Sequence, residues 1–411
     1  MPKSSRLAAV MARVRLREWT ILLTSGLAFL APSAVAPGLP ALYRDFAHVP
    51  HAELLSKLVL TMPMLFIALS GPLIGWSVDR FGRRNVLIGS TILYGVFGMS
   101  GLVLETIEAL LVSRALVGIF LAGILTSVTA LLGDYFTGDE RNRVAGLQGA
   151  FMAFGTLIFV SIAGLLAEIH WRMGFTLFAV ALLLVPLMFL SLYEPVKPDA
   201  GADERAPDGS GTVLARDATP WGTISLIYVL SFLTMVALFM IPSQTQFLLI
   251  ELGVPDPMRA GFAIGIFNFS GGIMSLFYPR LRARFTAEQI FALIYLLVGT
   301  GFILNGLATN YVTLMLSLAF GGLAMGAYFP NLNLAVLSRT TMRVRGRALG
   351  GLTTSFFIGQ FASPFYSQPL VGMVLVGGAF FYTGIWLVGL GVLFVFIAAS
   401  AGMRARLMRR G

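Results

Sequence analysis

Arg114 is the first residue whose type and setting suggest chemistry, because it lies inside a long apolar stretch. A charge in such a stretch is costly unless it faces a cavity or a partner, so it is a functional candidate. The structural alternative is that its long side chain reaches the nearby edge of the stretch, close to Glu105 and Glu108. No acidic residue lies mid-stretch, since those nearest to the apolar stretches are end-placed: Asp45, Glu105, Asp134, Glu168 and Glu251.

A second candidate is the charge cluster in the polar break at 75–84, where Asp79 stands beside three arginines. Such a cluster can pair with another loop or a helix terminus in one conformation and separate in another, which makes it a candidate gating latch. The alternative is that the arginines only orient the chain in a membrane. The cluster comprises Asp79, Arg80, Arg83 and Arg84.

Two glycines and a later polar break complete the predicted latch. Gly75 permits close approach of two helices, and Gly82 permits the left-handed backbone of a tight turn. The break at 134–143 lies on the same side as the cluster and contains charges of both signs. Asp134 and Arg143 are therefore predicted partners of the latch.

Uncharged polar residues inside the apolar stretches are candidates for contact with a small-molecule substrate. Each one alone is more often a hydrogen bond between helices, worth about 0.6 kcal/mol on average. The candidates are Thr24, Thr126, Gln148, Gln244, Gln246, Asn268, Asn331, Asn333 and Gln360.

The sequence lacks the motifs of hydrolytic chemistry. None of its lysines follows a glycine, so it has no phosphate-binding loop, and it contains neither a Gly-x-Ser-x-Gly nor a His-Glu-x-x-His pattern. The absence of cysteine excludes thiolate chemistry, disulfides and cysteine metal sites. We therefore predict no enzymatic activity, no cofactor and no metal site.

The elements that must position these residues are membrane helices. The chain has 411 residues, of which 57% are hydrophobic and 12% charged, and its mean hydropathy is +0.84. Apolar stretches long enough to span a bilayer alternate with short polar breaks, and they are continuous where barrel strands would alternate. The sequence predicts an all-α membrane protein with twelve transmembrane helices, beginning near Trp19, Leu54, Asn85, Ala109, Val144, Gly174, Trp221, Arg259, Ile290, Val312, Ala348 and Gly372.

The basic residues predict the orientation. With the N-terminus in the cytoplasm, 24 of the 29 Lys and Arg residues fall on the cytoplasmic side, and an even number of spans leaves both termini there. The net charge of +10 is thereby explained by topology, so no nucleic-acid partner is predicted. The basic residues assigned to the opposite face are Arg44, Lys57, Arg172 and Arg259.

The chain divides near its middle into two similar halves. A stretch at 194–220, rich in proline and acidic residues, predicts a cytoplasmic linker between six-helix bundles at 1–193 and 221–411. Duplicated halves of this kind place a binding site at their interface near the bilayer midplane.

Two sets of matches relate the halves. The first has an offset of 200 residues, which we call the first register, and the second, further along the chain, has an offset of 204, which we call the second register. In the first register, Ser70-Gly71 and Arg80 recur as Ser270-Gly271 and Arg280, which would put Pro279 in the place of Asp79. In the second register, Arg141 and Gly146 recur as Arg345 and Gly350. The two sets together extend through half of the chain and indicate a duplication.

The segment 75–84 resembles the loop signature of the major facilitator superfamily, and the twelve-span layout agrees over the whole chain. Arg114 with Gly118 is similar to the family's second motif, in which the arginine helps to couple proton movement to transport. Pro37-Gly38-Leu39-Pro40 resembles a pattern of the drug–proton antiporters. The resemblance implies two pseudo-symmetric six-helix bundles, a gating role for the loop and a coupling role for Arg114 and Gly118.

The resulting functional hypothesis is a secondary transporter that exports a small amphipathic compound in exchange for protons. It would work as a monomer in the lipid bilayer of a bacterial inner membrane. Import of an organic anion or other metabolite is the alternative within transport, since Arg114 is the one charge within a span. A receptor or scaffold that keeps the fold without cycling is the alternative outside it.

Overall fold

The computed structural model describes residues 3–195, 220–341 and 344–408. Eleven helical segments in this part of the chain are long and apolar enough to cross a membrane, and the last of them contains 56 residues. Its backbone leaves the helical region at Val374 and Leu375, so it forms two spans. The predicted all-α, twelve-helix architecture is thereby confirmed. Most of the predicted linker at 194–220 lies outside the described residues.

The first half contains six spans, of which the first is interrupted by two 3-10 turns. Span α6 also begins as a 3-10 segment, directly after the short break at His170. The helices are α1 (Lys3–Gly26, Leu30–Val35 and Leu39–Asp45), α2 (Ala52–Phe81), α3 (Arg83–Met99), α4 (Ile107–Tyr135), α5 (Gly138–Ile169) and α6 (Trp171–Phe178 continuing as Ala179–Ser191).

The second half repeats this arrangement, with an interruption in its first span at Phe239. In the second register this position corresponds to Val35 in α1, and both interruptions precede prolines that cannot donate a helical hydrogen bond. The helices are α7 (Trp221–Leu238 and Met240–Glu251), α8 (Pro257–Arg284), α9 (Ala287–Gly306), α10 (Tyr311–Leu337), α11 (345–373) and α12 (376–408).

Short polar side chains begin several of these helices. Thr106 caps α4 and Asp256 caps α8, each by accepting a hydrogen bond from a backbone N–H of the first turn. Thr286 and Asn310 form reciprocal capping boxes with the third residues of α9 and α10. These caps satisfy backbone donors that lipid could not satisfy, which fixes where each span begins.

Each half packs around its own hydrophobic core, and one close approach recurs in both cores. A Cβ on Gly118 of α4 would lie 2.3 Å from the carbonyl oxygen of Pro63, and one on Gly322 of α10 would lie 2.2 Å from that of Phe267. Both glycines, and both of their partners, correspond in the second register. The first register is therefore wrong for this packing, and Pro279 does not take the place of Asp79.

The two halves meet along α2 with α11 and α5 with α8. Glycines bring α5 and α8 together at the end away from the chain termini. A Cβ on Gly261 would lie 2.5 Å from the carbonyl oxygen of Val160, and one on Gly164 would lie 2.8 Å from that of Pro257. We call this the closed end.

We call the end of the bundle that carries the termini the terminal end, and several glycines of the interface helices there have no close neighbour. A Cβ added at Gly71, Gly75, Gly146 or Gly350 would meet nothing within 4 Å. These glycines lie on α2, α5 and α11, which are helices that join the halves. The prediction that Gly75 serves close helix approach is not met in this conformation.

Candidate functional site

Arg114 is fully buried inside the first half. Its Nη2 donates to the carbonyl oxygens of Phe97 at 3.0 Å and Gly98 at 2.9 Å, at the C-terminal end of α3. Its guanidinium also stacks over Phe175 and Phe178 of α6, at 4.7 and 5.2 Å from the ring centres. A cation is favourable at the carbonyl end of a helix, so Arg114 joins α4 to α3 and α6.

The alternative that Arg114 extends to the edge of its span is wrong, because its side chain has no exposed surface. Among the described residues, no carboxylate lies within ion-pair distance of it. Its Nε and Nη1 atoms also have no hydrogen-bond partner there. The buried cation is thus compensated by carbonyl dipoles and ring faces. Gly118, one turn further along α4, faces Pro63 of α2 and sets how closely these helices pack.

The predicted latch residues lie at the terminal end, and Arg83 forms an ion pair with Asp134. This contact joins the start of α3 to the end of α4. Arg84 donates from Nε to the carbonyl oxygen of Leu192 at 2.9 Å, just beyond α6. The interpretation that Arg83 and Arg84 serve only orientation is therefore incomplete, since both hold helix ends together.

Glu194, which the sequence assigned to the linker, also contacts the latch residues at the start of α3. Its carboxylate accepts hydrogen bonds from the backbone N–H groups of Arg83 at 2.7 Å and Arg84 at 2.9 Å. Gly82 has φ +88°, and a Cβ there would lie 2.7 Å from the Glu194 carboxylate. Gly82 is thus required both for the turn and for access of the carboxylate. The available sequence signal was an acid directly after the last span of the first half.

The other latch candidates are distributed around the same end. Arg143 makes a two-pronged contact with Glu18, with N–O distances of 2.8 and 3.0 Å. Arg80 lies over the ring of Trp76, with its guanidinium 5.3 Å from the ring centre. Asp79 is exposed at the end of α2. The predicted partner Arg143 is therefore directed to α1.

Three of the predicted substrate contacts join helices within one half. Gln148 donates to Ser25 at 3.0 Å, which links α5 to α1. Gln244 donates to Ser367 at 3.0 Å, and Gln360 contacts the sulfur of Met235 at 3.9 Å, which links α7 to α11 twice. In each of these three contacts, one of the two helices is α5 or α11, which meet the other half.

The remaining candidates are not brought together with them. Thr24 and Asn268 bond to carbonyl oxygens of their own helices, and Asn331 donates to the carbonyl of Ala287 at the start of α9. Gln246 lines a small crevice at the closed end, together with Arg44 and Asp256. Thr126 and Asn333 are exposed.

Lys57 is the functional candidate that sequence reasoning missed, since it was placed on the outer face. Its side chain is fully buried near the closed end, 2.9 Å from Glu53 one turn earlier on α2. Its ammonium also donates to Gln368 of α11 and lies 4.8 Å from the ring centre of Phe247 on α7. A charge that is buried between the two halves is a functional candidate. Because Lys57 lies little more than one turn from the start of α2, the sequence assigned it to the outer face.

The comparisons with known proteins agree with this architecture. Residues 21–364 match the Major Facilitator Superfamily. The chain belongs to this superfamily. The loop signature at 75–84, the paired six-helix halves and the inter-half contacts of this superfamily member are therefore those of a transporter rather than an enzyme.

Among curated relatives in the superfamily, the chain is 31% identical to Multidrug resistance protein 1 of Bacillus subtilis over 54% of its length. It is 27% identical to the 3-(3-hydroxy-phenyl)propionate transporter of Escherichia coli over 62% of its length. The matches span 57% and 64% of those two relatives. Among solved structures it is similar to a D-xylose-proton symporter, with a TM-score of 0.74, 16% identity and coverage of 92% of this chain and 96% of that one.

Within the described part of this superfamily member, no group of three or more His, Asp or Glu residues is arranged to hold a metal ion. Charged groups near the interface include Lys57 and Glu53, and Arg44 and Asp256, while Arg114 lies inside the first half. The chemistry that this arrangement supports is reversible binding of a polar or charged group.

Proposed function

We propose that this chain is a proton-coupled secondary transporter that exports a small amphipathic compound by alternating access. The observation that carries the proposal is the difference between the two ends of the bundle. Glycine contacts join α5 and α8 at the closed end, whereas glycines on the interface helices face open space at the terminal end. It would act as a monomer in a bacterial inner membrane.

Pseudo-symmetry supports alternating access. The two halves share a close helix approach at corresponding positions of the second register, so they are packed in the same way. Two similar halves that meet along α2 with α11 and α5 with α8 can rock about a site at their interface. The glycines without close neighbours at the terminal end are consistent with one open state of such a cycle.

The orientation and a relative support export. The excess of arginine at the terminal end makes it the cytoplasmic end by the positive-inside rule, so this state would accept cargo from the cytoplasm. One relative is named for multidrug resistance, a property that removal of drugs from the cell would give.

Proton coupling rests on Arg114. Its buried guanidinium retains two nitrogen atoms without hydrogen-bond partners among the described residues. A buried cation at the end of α3 would respond to a proton or a charged cargo arriving nearby, because low local dielectric strengthens such interactions. Coupling through Arg114 and Gly118 is therefore retained as part of the proposal.

The test is transport in vesicles of defined orientation. Everted vesicles containing the protein should accumulate an amphipathic dye when their interior is acidified, and a protonophore should abolish the accumulation. Vesicles with a protein carrying Gly118→Trp, which blocks the α4–α2 approach, serve as the inactive control. If the outward flow of protons instead carries a preloaded compound out of these vesicles, the protein is an importer. If the compound does not move in either direction, a non-cycling role is favoured.

Import of an organic anion is the second candidate, and Lys57 favours it. This lysine supplies a buried positive charge where the two halves meet. One relative is named as a transporter of 3-(3-hydroxy-phenyl)propionate, a carboxylate whose negative charge is opposite to that of Lys57. The sign of accumulation in the same vesicles separates the two candidates.

A further inference from the structure

A row of buried polar groups runs inward from Lys57 along the helices that join the halves. We call this row the polar seam. At about 1.5 Å of rise per residue, Lys57 lies about 8 Å from the closed end of α2, and Thr61 lies one turn deeper. The seam consists of the buried Lys57 and Thr61 on α2, Gln244 on α7, and Gln360 and Ser363 on α11, together with the partly buried Gln368 of α11.

Several seam groups are buried without a hydrogen-bond partner among the described residues. They are the Thr61 hydroxyl, the Gln244 side-chain oxygen and the Ser363 hydroxyl, and each side chain has no exposed surface. A buried hydroxyl or amide oxygen without a hydrogen-bond partner is destabilising, so three of them along one interface require a reason. A pathway that is filled or hydrated in another state provides one.

A contact that only closes this end of the bundle does not require a charged side chain such as Lys57. A methionine would fill the same space without the cost of a charge in the membrane. Glu53 belongs to the same helix and stays with Lys57 when the halves separate. Gln368 and Phe247 belong to the other half, and both would leave when the closed end opens. Opening would therefore free two faces of the ammonium group.

We infer that Lys57 is the carboxylate-binding residue of the cargo pathway, and that the cargo is a small aromatic or aliphatic carboxylate. When the closed end opens, a cargo carboxylate takes the place of Gln368 on the ammonium, and the seam hydroxyls and amides receive its other polar groups. When the end closes, Gln368 displaces the carboxylate. The inference rests on the proposed transport function and holds for either direction.

Binding of a matched pair of compounds tests the inference. 3-(3-Hydroxyphenyl)propionate and its methyl ester differ in charge and share the remaining atoms of the acid. The purified full-length protein should bind the acid about tenfold more tightly than the ester, measured by thermal stabilisation over a concentration series. Lys57→Met should abolish that preference, so that acid and ester bind equally, and Lys57→Arg should retain it.

Controls keep the result interpretable. Glu53→Gln with Lys57→Met removes both charges of the pair, so it avoids leaving an unpaired carboxylate if the single variant folds poorly. Arg259→Met is the matched control, because Arg259 also pairs with an acid of its own helix and lies over a tyrosine ring at the closed end, outside the seam. It should keep the preference for the acid.

Three outcomes would overturn the inference: equal binding of acid and ester by the wild type, no binding of either, or a preference for the acid that survives Lys57→Met. Its failure is distinguishable from failure of the proposed function. Dye export driven by a pH gradient in wild-type vesicles, together with equal binding of acid and ester, would overturn the inference and leave the proposed function standing. If the wild type binds the acid more tightly than the ester but transports nothing, the proposed function fails and the binding role of Lys57 stands.

Discussion

Arg83 and Asp134 form an ion pair that ties the start of α3 to the end of α4. In the second half, Glu288 and Arg339, each one residue beyond the corresponding position, form a pair at 3.7 Å with the charges exchanged. The duplicated fold thus retains the location of the contact and reverses its polarity. The contact therefore serves to join neighbouring helices of one half.

This relationship predicts that the first pair tolerates a charge exchange. Arg83→Asp alone places two acids together and should lower the unfolding temperature, with a free-energy cost of about 1 kcal/mol because both side chains are partly exposed. Adding Asp134→Arg should restore most of the loss. Thermal unfolding of the single and double variants measures this, and a double variant no more stable than the single one would contradict it.

The small residue at the α4–α2 crossing gives a second prediction. Gly118→Ala forces its Cβ toward the Pro63 carbonyl, which is backbone and cannot rotate away, so it should destabilise the protein by about 1–3 kcal/mol. Gly89→Ala on α3 is the control, because a Cβ there meets nothing within 4 Å. Equal unfolding temperatures for the two variants would show that the crossing adjusts freely.

Hydropathy predicted the fold almost completely, because span length and continuity are set by the bilayer. Most helices begin within a few residues of their predicted starts. The exceptions are α1, which begins at Lys3 instead of near Trp19, and α5, where polar residues from Gly138 extend the helix before its apolar part. The alignment of the repeat was less accessible. Arginine spacing at the ends of α2 and α8 suggested the first register, whereas the contacts of Gly118 and Gly322 follow the second.

The site was predicted less well than the fold, because periodicity does not show which face of a span meets another span. Sequence located Arg114 within a span but could not show that α3 carbonyls surround it. Lys57 lies near the start of α2, so it resembled a surface charge until Gln368 of α11 was placed against it. Glu194 contacts backbone groups that are far from it along the chain. Such contacts depend on tertiary packing alone.

The latch hypothesis predicts a change in conformational balance for Asp79→Asn. The substitution keeps the size of the side chain and removes its charge, so it should impair cycling and favour the state open at the terminal end. Cysteine accessibility at position 350 in this cysteine-free chain reports that state, and expression should stay near normal. Unchanged transport together with unchanged accessibility would reduce Asp79 to a surface charge.

Arg114 carries the prediction on coupling. Arg114→Ala should reduce pH-driven accumulation at least about tenfold while exchange of cargo across the membrane stays measurable, since exchange needs rocking but no net proton movement. Arg114→Lys should recover only part of the activity, because lysine keeps the charge and loses the planar fork that reaches Phe97 and Gly98. Accumulation by Arg114→Ala with wild-type pH dependence would make the arginine structural.

Reciprocal movement of the two ends is the central claim of this account, and paired spin labels measure it directly. One pair at Gly71 and Gly350 spans the terminal end, and a second pair at Glu168 and Pro255 spans the closed end. Without cargo, the first distance should be long and the second short. With cargo and a pH gradient, a second population should appear in which the first distance shortens and the second lengthens. A single unchanged distance at both ends under every condition would contradict alternating access.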